Sequence, residues 1–254
     1  MVASLLANAP NQQALVDLLC GGKATVREPL DVWFEAQPLA PRKGTAGDSE
    51  GNTKVDLAFG HVRARGATAA GIEYGSHEPG SWVCFAEAKC MADCSSDVTY
   101  DPLRNQLTRV IENVLTFQAN GVFPERLFFS LLTPRLFKDN PGARLYAYKM
   151  REYEDPRRLL HDLTLCRIPV RNGCGFVYPD LIQRLERLTL TWTTYEELLA
   201  YRFGADLDIV NRPSEITGLK DYLEALVAAM EVGAEVPDTA LSRSTLTTFR
   251  PIKA

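Results

Sequence analysis

Residues 81–89 read SWVCFAEAK, an apolar run that ends on two charges, Glu87 and Lys89. Apolar residues on both faces of so short a run describe a strand in the interior of a sheet. Strand side chains alternate, so Glu87 and Lys89 share one face with Val83 and Phe85, spaced by about 6–7 Å. Upstream, residues 54–63 (KVDLAFGHVR) alternate as a strand and hold one acid, Asp56, among Val55, Leu57 and Phe59. Residues 32–37 (VWFEAQ) read as an earlier strand, and 126–133 (RLFFSLLT) as a buried one. Between strands, Asp101 caps a helix and Pro102 suits its first turn. Its residues Leu103, Leu107, Val110, Ile111, Val114 and Leu115 fall on one face.

The remaining segments are read in the same way. Residues 11–20 form an amphipathic helix closed by Gly21-Gly22. Residues 41–53 read as a loop, and 64–80, with four glycines and a proline, as a long exposed excursion. Residues 144–150 are expected to be a further strand. Helix signals recur at 156–163 behind Asp155, at 180–187, at 194–202 and at 214–231. Thr194 and Glu197 carry a capping-box pattern. The order implies an α/β sandwich with a mixed central sheet flanked by helices. A core over 1–150 is expected, with a C-terminal α/β extension (151–232) packed on or completing it and an irregular tail (233–254).

The 254 residues carry a formal net charge of −4, with 46% apolar and 24% charged residues. That composition excludes disordered, collagen-like and coiled-coil classes for the bulk of the chain. It gives no whole-protein attraction to nucleic acid or anionic lipid, so any nucleic-acid contact needs a local basic strip. No apolar run approaches the roughly 20 residues of a membrane span. The first ten residues lack the pattern of a secretory signal, and the expected compartment is the cytoplasm.

If the strands at 54–63 and 81–89 pair, Asp56 sits beside Glu87. Two carboxylates that close repel, and one is driven towards protonation unless a cation intervenes. Hard oxygen ligands suit Mg²⁺ (or Mn²⁺), and Lys89 would lie near a metal-bound water or a phosphate oxygen. Those parts meet the needs of phosphodiester hydrolysis. A plainer reading makes Glu87 and Lys89 a solvated strand end with a weak ion pair. Glu35 is a further acid, read as structural in preference to a ligand. Asp93, Asp97 and Asp101 are read as loop and cap residues, and His61, His77 and His161 as structural or surface residues. Cys90, Cys94, Cys166 and Cys174 lack paired zinc-site spacing, and a cysteine-ligated cluster is the weakest alternative.

Asp56 followed by Glu87-Ala88-Lys89 on consecutive strands, with a helix behind, resembles the PD-(D/E)xK nuclease superfamily. Residues 11 to about 133 follow the family's order, with Val55 where the motif commonly has proline. The resemblance implies a restriction-endonuclease-like fold and a Mg²⁺-dependent nuclease. In it Asp56, Glu87 and the Ala88 carbonyl hold metal, Lys89 assists the attacking water, and Gln106 supports the site from the following helix. Arg104 and Arg109 would then contact phosphate. Arg63 with Arg65, and Arg151 with Arg157 and Arg158, are candidate strips along a groove. DNA is the expected partner, with no membrane, and a homodimer would suit a duplex cutter. The alternative is a non-catalytic module that binds nucleic acid or protein on the same fold.

Overall fold

The computed structural model describes residues 9–27, 30–43, 53–66, 70–90, 92–96, 101, 103–203, 224 and 228. The expected helix at 214–231, apart from residues 224 and 228, and the expected tail lie outside them, as do Pro102 and Asp97.

Helix α1 (Ala9–Cys20) leads into β1 (Asp31–Pro38), β2 (Val55–Gly60), β3 (Val62–Ala64), β4 (Gly71–Tyr74) and β5 (Trp82–Ala88). Helix α2 (Gln106–Leu115) and β6 (Arg126–Thr133) follow, then α3 (Arg135–Asp139), α4 (Leu145–Glu152), α5 (Pro156–Thr164) and α6 (Leu181–Leu185). Strand β7 (Leu188–Thr194) runs into α7 (Tyr195–Phe203). The seven strands form one mixed sheet in the order β3-β4-β1-β2-β5-β6-β7. Strands β5, β6 and β7 are parallel, while β2 runs antiparallel to both β1 and β5.

The apolar patterning explains the layers. Strand β5 lies inside the sheet, and Trp82 to Glu87 are all buried. Its Val83 and Phe85 face a core closed by Leu107, Val110, Ile111 and Val114 of α2, together with α4, α5 and α6. Its Trp82, Cys84 and Ala86 face the second core, closed by Leu15 and Leu19 of α1 and Leu198 and Leu199 of α7. Burying side chains of that size contributes roughly 1.5–3 kcal/mol each, which makes this the mechanical centre. The Thr194–Glu197 capping box forms in both directions, and Asp155 caps α5.

Three expectations are corrected. Residues 64–80 are not a pure excursion: β4 lies there, with Ile72 and Tyr74 buried between flanking glycines that read as loop. Residues 144–150 are helical. The Asp93 carboxylate accepts from the N–H groups of Leu145 (2.7 Å) and Tyr146 (3.3 Å), so the helix is capped from 52 positions away. Strand β7, which lies within the expected α/β extension, completes the parallel edge of the sheet. The cap of α2 is Asn105, whose side chain accepts from Thr108 N–H at 2.9 Å. Asp101 instead accepts from Leu103 and Arg167 N–H groups and anchors the 165–168 turn.

Candidate active site

The register of β2 and β5 runs Ala58 against Phe85 and Leu57 against Ala86, which sets Asp56 against Glu87. Directly opposed residues share a face, with Cβ atoms about 5 Å apart. Asp56 Oδ2 accepts the Ala88 N–H at 2.8 Å, which draws the ends of the two strands together around the acids. Glu87 is 1% exposed. Its Oε1 accepts from Lys89 Nζ at 2.7 Å and from Gln106 Nε2 at 2.6 Å. Its Oε2 is buried and has no hydrogen-bond partner among the described residues.

Gln106 opens α2 and is itself held by the chain. Its N–H donates to the Ser95 carbonyl at 3.0 Å, and its Oε1 accepts from Ser95 N–H at 3.3 Å. The helix therefore presents a fixed amide donor to Glu87. The 92–96 segment was a spacer in the sequence; only the fold shows that it supports Gln106.

Charge at this site is under-compensated. Burial, then the neighbouring Asp56 charge, push the Glu87 carboxyl up to about 7, against the opposing pull of Lys89. Burial raises Asp56 as well, although the Ala88 N–H and Lys89 pull it down. Glu35 adds a third negative influence on both acids. Glu35 occupies the β1 position opposite Asp56 but leaves the ladder, since pairing passes from Phe34–Leu57 to Ala36–Val55. Its backbone is left-handed, with φ at +49°, a conformation that costs about 1–3 kcal/mol in a non-glycine residue. Its exposed side chain pairs with Lys54 at 3.2 Å. Tyr195, at the start of α7, is missed by the sequence reading. Burial first, then Cys90, Asp56 and Glu87, raise its phenol, which leaves a neutral hydroxyl near the acids.

Asp56, Glu87, Ala88, Lys89 and Gln106 are thus brought together; the proposed arginines are not. Arg104 is fully buried and ion-paired with Glu112, so it presents no cation to a nucleic-acid backbone. The family resemblance marks it as a phosphate contact; its partner Glu112 lies eight residues further on, within α2. Arg109 donates to Thr53 Oγ1 at 2.7 Å and ties α2 to the start of β2. Arg63 lies on β3, paired with Glu73 at 2.9 Å, and Arg65 donates to the Gln37 carbonyl at 3.4 Å. Both are on the far side of β1 from the acids. Arg157 is paired with Asp155.

Two carboxylates, one with a bare buried oxygen, are a donor set that suits a small hard cation. Among the described residues no group of three or more His, Cys, Asp or Glu could hold a metal ion. A divalent ion here would rest on the two acids, the backbone and water. The same finding applies to Cys90, Cys94, Cys166 and Cys174, all free thiols that form no such group. Among the described residues no helix is long and apolar enough to cross a membrane. No family model, curated protein or solved structure matches the chain.

Proposed function

We propose that this chain is a Mg²⁺-dependent nuclease that hydrolyses DNA phosphodiesters on a restriction-endonuclease-like core. The observation that carries the reading is Glu87. It is a buried carboxylate with one bare oxygen, opposite a second acid and beside a lysine. Lys89 alone does not offset the facing acids Glu87 and Asp56, and a buried charge left uncompensated calls for a proton or a cation.

Asp56 and Glu87 would hold the ion from facing strand ends. The Ala88 N–H points towards β2, whereas the Lys89 N–H points the other way, to the Leu132 carbonyl at 2.8 Å. By the pleat, the Ala88 carbonyl lies on the Asp56 side and fits as a neutral third donor. When bound, a divalent ion supplies Lewis-acid stabilisation of phosphate charge and an acidified water. Lys89 adds positive charge at the same place and orients or deprotonates the attacking water. Gln106 fixes the Glu87 rotamer from the start of α2.

Metal-titrated cleavage of linear, circular and single-stranded DNA, with RNA as a parallel substrate, tests the proposal. Cleavage by the wild type that is lost in Asp56→Asn and Lys89→Ala is expected. A wild type that cuts nothing, or variants that cut equally well, would overturn it. A second reading, binding without turnover, is favoured by the ion pair that already occupies Lys89. It predicts salt-dependent binding that the same substitutions leave intact.

A further inference from the structure

At the other end of β5 lies a cleft of about 420 Å³, lined by Arg27, His61, Arg63, Ser76 and Trp82, with Asp31 and Glu78 among its acids. Trp82 and Glu87 are five residue steps apart along the strand, about 17 Å, so this cleft is distinct from the acid pair.

Its construction is specific. The Trp82 indole N–H donates to the Thr25 carbonyl at 3.0 Å, and the ring packs edge-on against Phe59, His61 and Phe128. Gly60 takes φ +103°, and a Cβ there would fall 2.7 Å from the Trp82 carbonyl oxygen and 2.9 Å from its ring. Only glycine fits beneath the tryptophan. That corner sets His61. The Trp82 backbone N–H reaches His61 Nδ1 at 3.1 Å, and the Trp82 carbonyl already accepts the His61 backbone N–H at 2.9 Å. Nδ1 also lies 3.0 Å from the Trp82 carbonyl, so the Trp82 backbone occupies Nδ1 and leaves Nε2 as the ring nitrogen with no backbone partner among the described residues.

Two guanidinium groups line the same cleft as the His61 ring. Arg27 is exposed and makes no hydrogen bond or ion pair among the described residues. Arg63 lies across Gly75, whose missing side chain leaves room for the arginine stem: a Cβ there would sit 3.1 Å from Arg63 Cβ. Glu73 holds Arg63 Nε at 3.0 Å, so the fork is oriented while the side chain stays 56% exposed. A smaller adjoining cavity shares Thr25, Arg27 and His61 and adds Arg126. The acids Asp31 and Glu78 oppose a fully anionic ligand and suit one that also carries hydroxyl or amine donors.

We propose that this cleft binds a phosphate-bearing group of mononucleotide size, with Arg27 and Arg63 on the phosphate and the His61 ring beside it. Forked, charge-assisted donors are the geometry that phosphate oxygens select. The group comes either from a free nucleotide or from the 5′ end of a nucleic-acid strand.

Isothermal titration in EDTA uses inorganic phosphate, adenosine 5′-monophosphate, and one oligonucleotide with and without its 5′-phosphate. The wild type is expected to bind adenosine 5′-monophosphate or the phosphorylated oligonucleotide, and either more tightly than inorganic phosphate. Arg27→Ala and Arg63→Ala should each weaken binding by about tenfold or more, and Glu87→Gln should leave it unchanged. Tighter binding of the mononucleotide identifies a free nucleotide as the source; tighter binding of the phosphorylated oligonucleotide identifies the strand end. Absence of heat with every phosphate-bearing probe, or binding that survives both arginine substitutions, overturns the proposal. Because no metal is present and Glu87→Gln is a control, either result leaves the nuclease reading to be judged separately.

Discussion

Two glutamates are buried against the same helix, and they are managed in opposite ways. Glu112, inside α2, is fully buried and ion-paired with both Arg42 and Arg104, with the Tyr178 hydroxyl as a further partner. Arg42 also donates to the Leu163 and Ile168 carbonyls. Glu112 is therefore the centre of a clip that joins the loop after β1, α2 and the segment behind α5. Glu87, at the end of β5, has one lysine, one neutral amide and two nearby carboxylates. One charge is over-matched and the other is under-matched. The first arrangement resists change; the second retains an appetite for a positive group.

The largest effect is expected from breaking the matched side. Glu112→Ala strands two buried guanidinium groups and should cost about 3–5 kcal/mol of stability in urea unfolding. An unchanged midpoint would show that the clip contributes nothing. Glu87→Gln, by contrast, should cut metal-dependent cleavage by about 10²–10³-fold without lowering the unfolding midpoint. If it unfolds the protein instead, Glu87 belongs to the structural class of Glu112.

Titration sharpens the contrast further. The folded Glu87 carboxyl sits at about 7, above its ordinary 4.5. The unfolded chain therefore releases that proton first, and the ionised folded form is the penalised one. Stability contributed by protonated Glu87 is fully present below about pH 4.5 and is lost as pH rises to about 7. The loss is of order 3 kcal/mol, and it should vanish in Glu87→Gln. Mg²⁺ at pH 8 should restore about 1–3 kcal/mol to the wild type and nothing to that variant, as read by thermal shift. The smallest change is expected from Gln106→Ala, which frees the Glu87 rotamer and lowers cleavage by about tenfold at unchanged stability. A pH–rate profile that shifts in Gln106→Ala would confirm that the amide acts through Glu87.

The legible part of the site was local. Strand alternation put Glu87 and Lys89 on one face, and the isolated Asp56 in an apolar run marked a second strand. Their opposition followed once β2 and β5 paired. Gln106 is picked out only by the family resemblance, and its place at the very start of α2 was not readable, because Asp101 reads as the cap. The left-handed turn at Glu35 was not legible either, because the residue is an ordinary acid in a strand pattern and its conformation arises from the ladder around it. Nor was the burial of Arg104, whose surroundings come from Glu112 and the chain packed over α2. Tyr195 comes under the influence of the acids only because α7 packs into the second core of the sheet.

By itself, the sequence determined the elements whose signals lie within a few residues: the interior strands β5 and β6, the apolar face of α2, and the caps at Asp155 and Thr194. Hydrophobic period and short-range hydrogen bonding suffice for these. Only the tertiary structure decided β4, β7, the helical state of 145–152 and the fate of each charge. Those outcomes depend on partners tens of residues away. A carboxylate becomes a clip or a candidate catalytic ligand according to how many cations the fold brings beside it once water is removed.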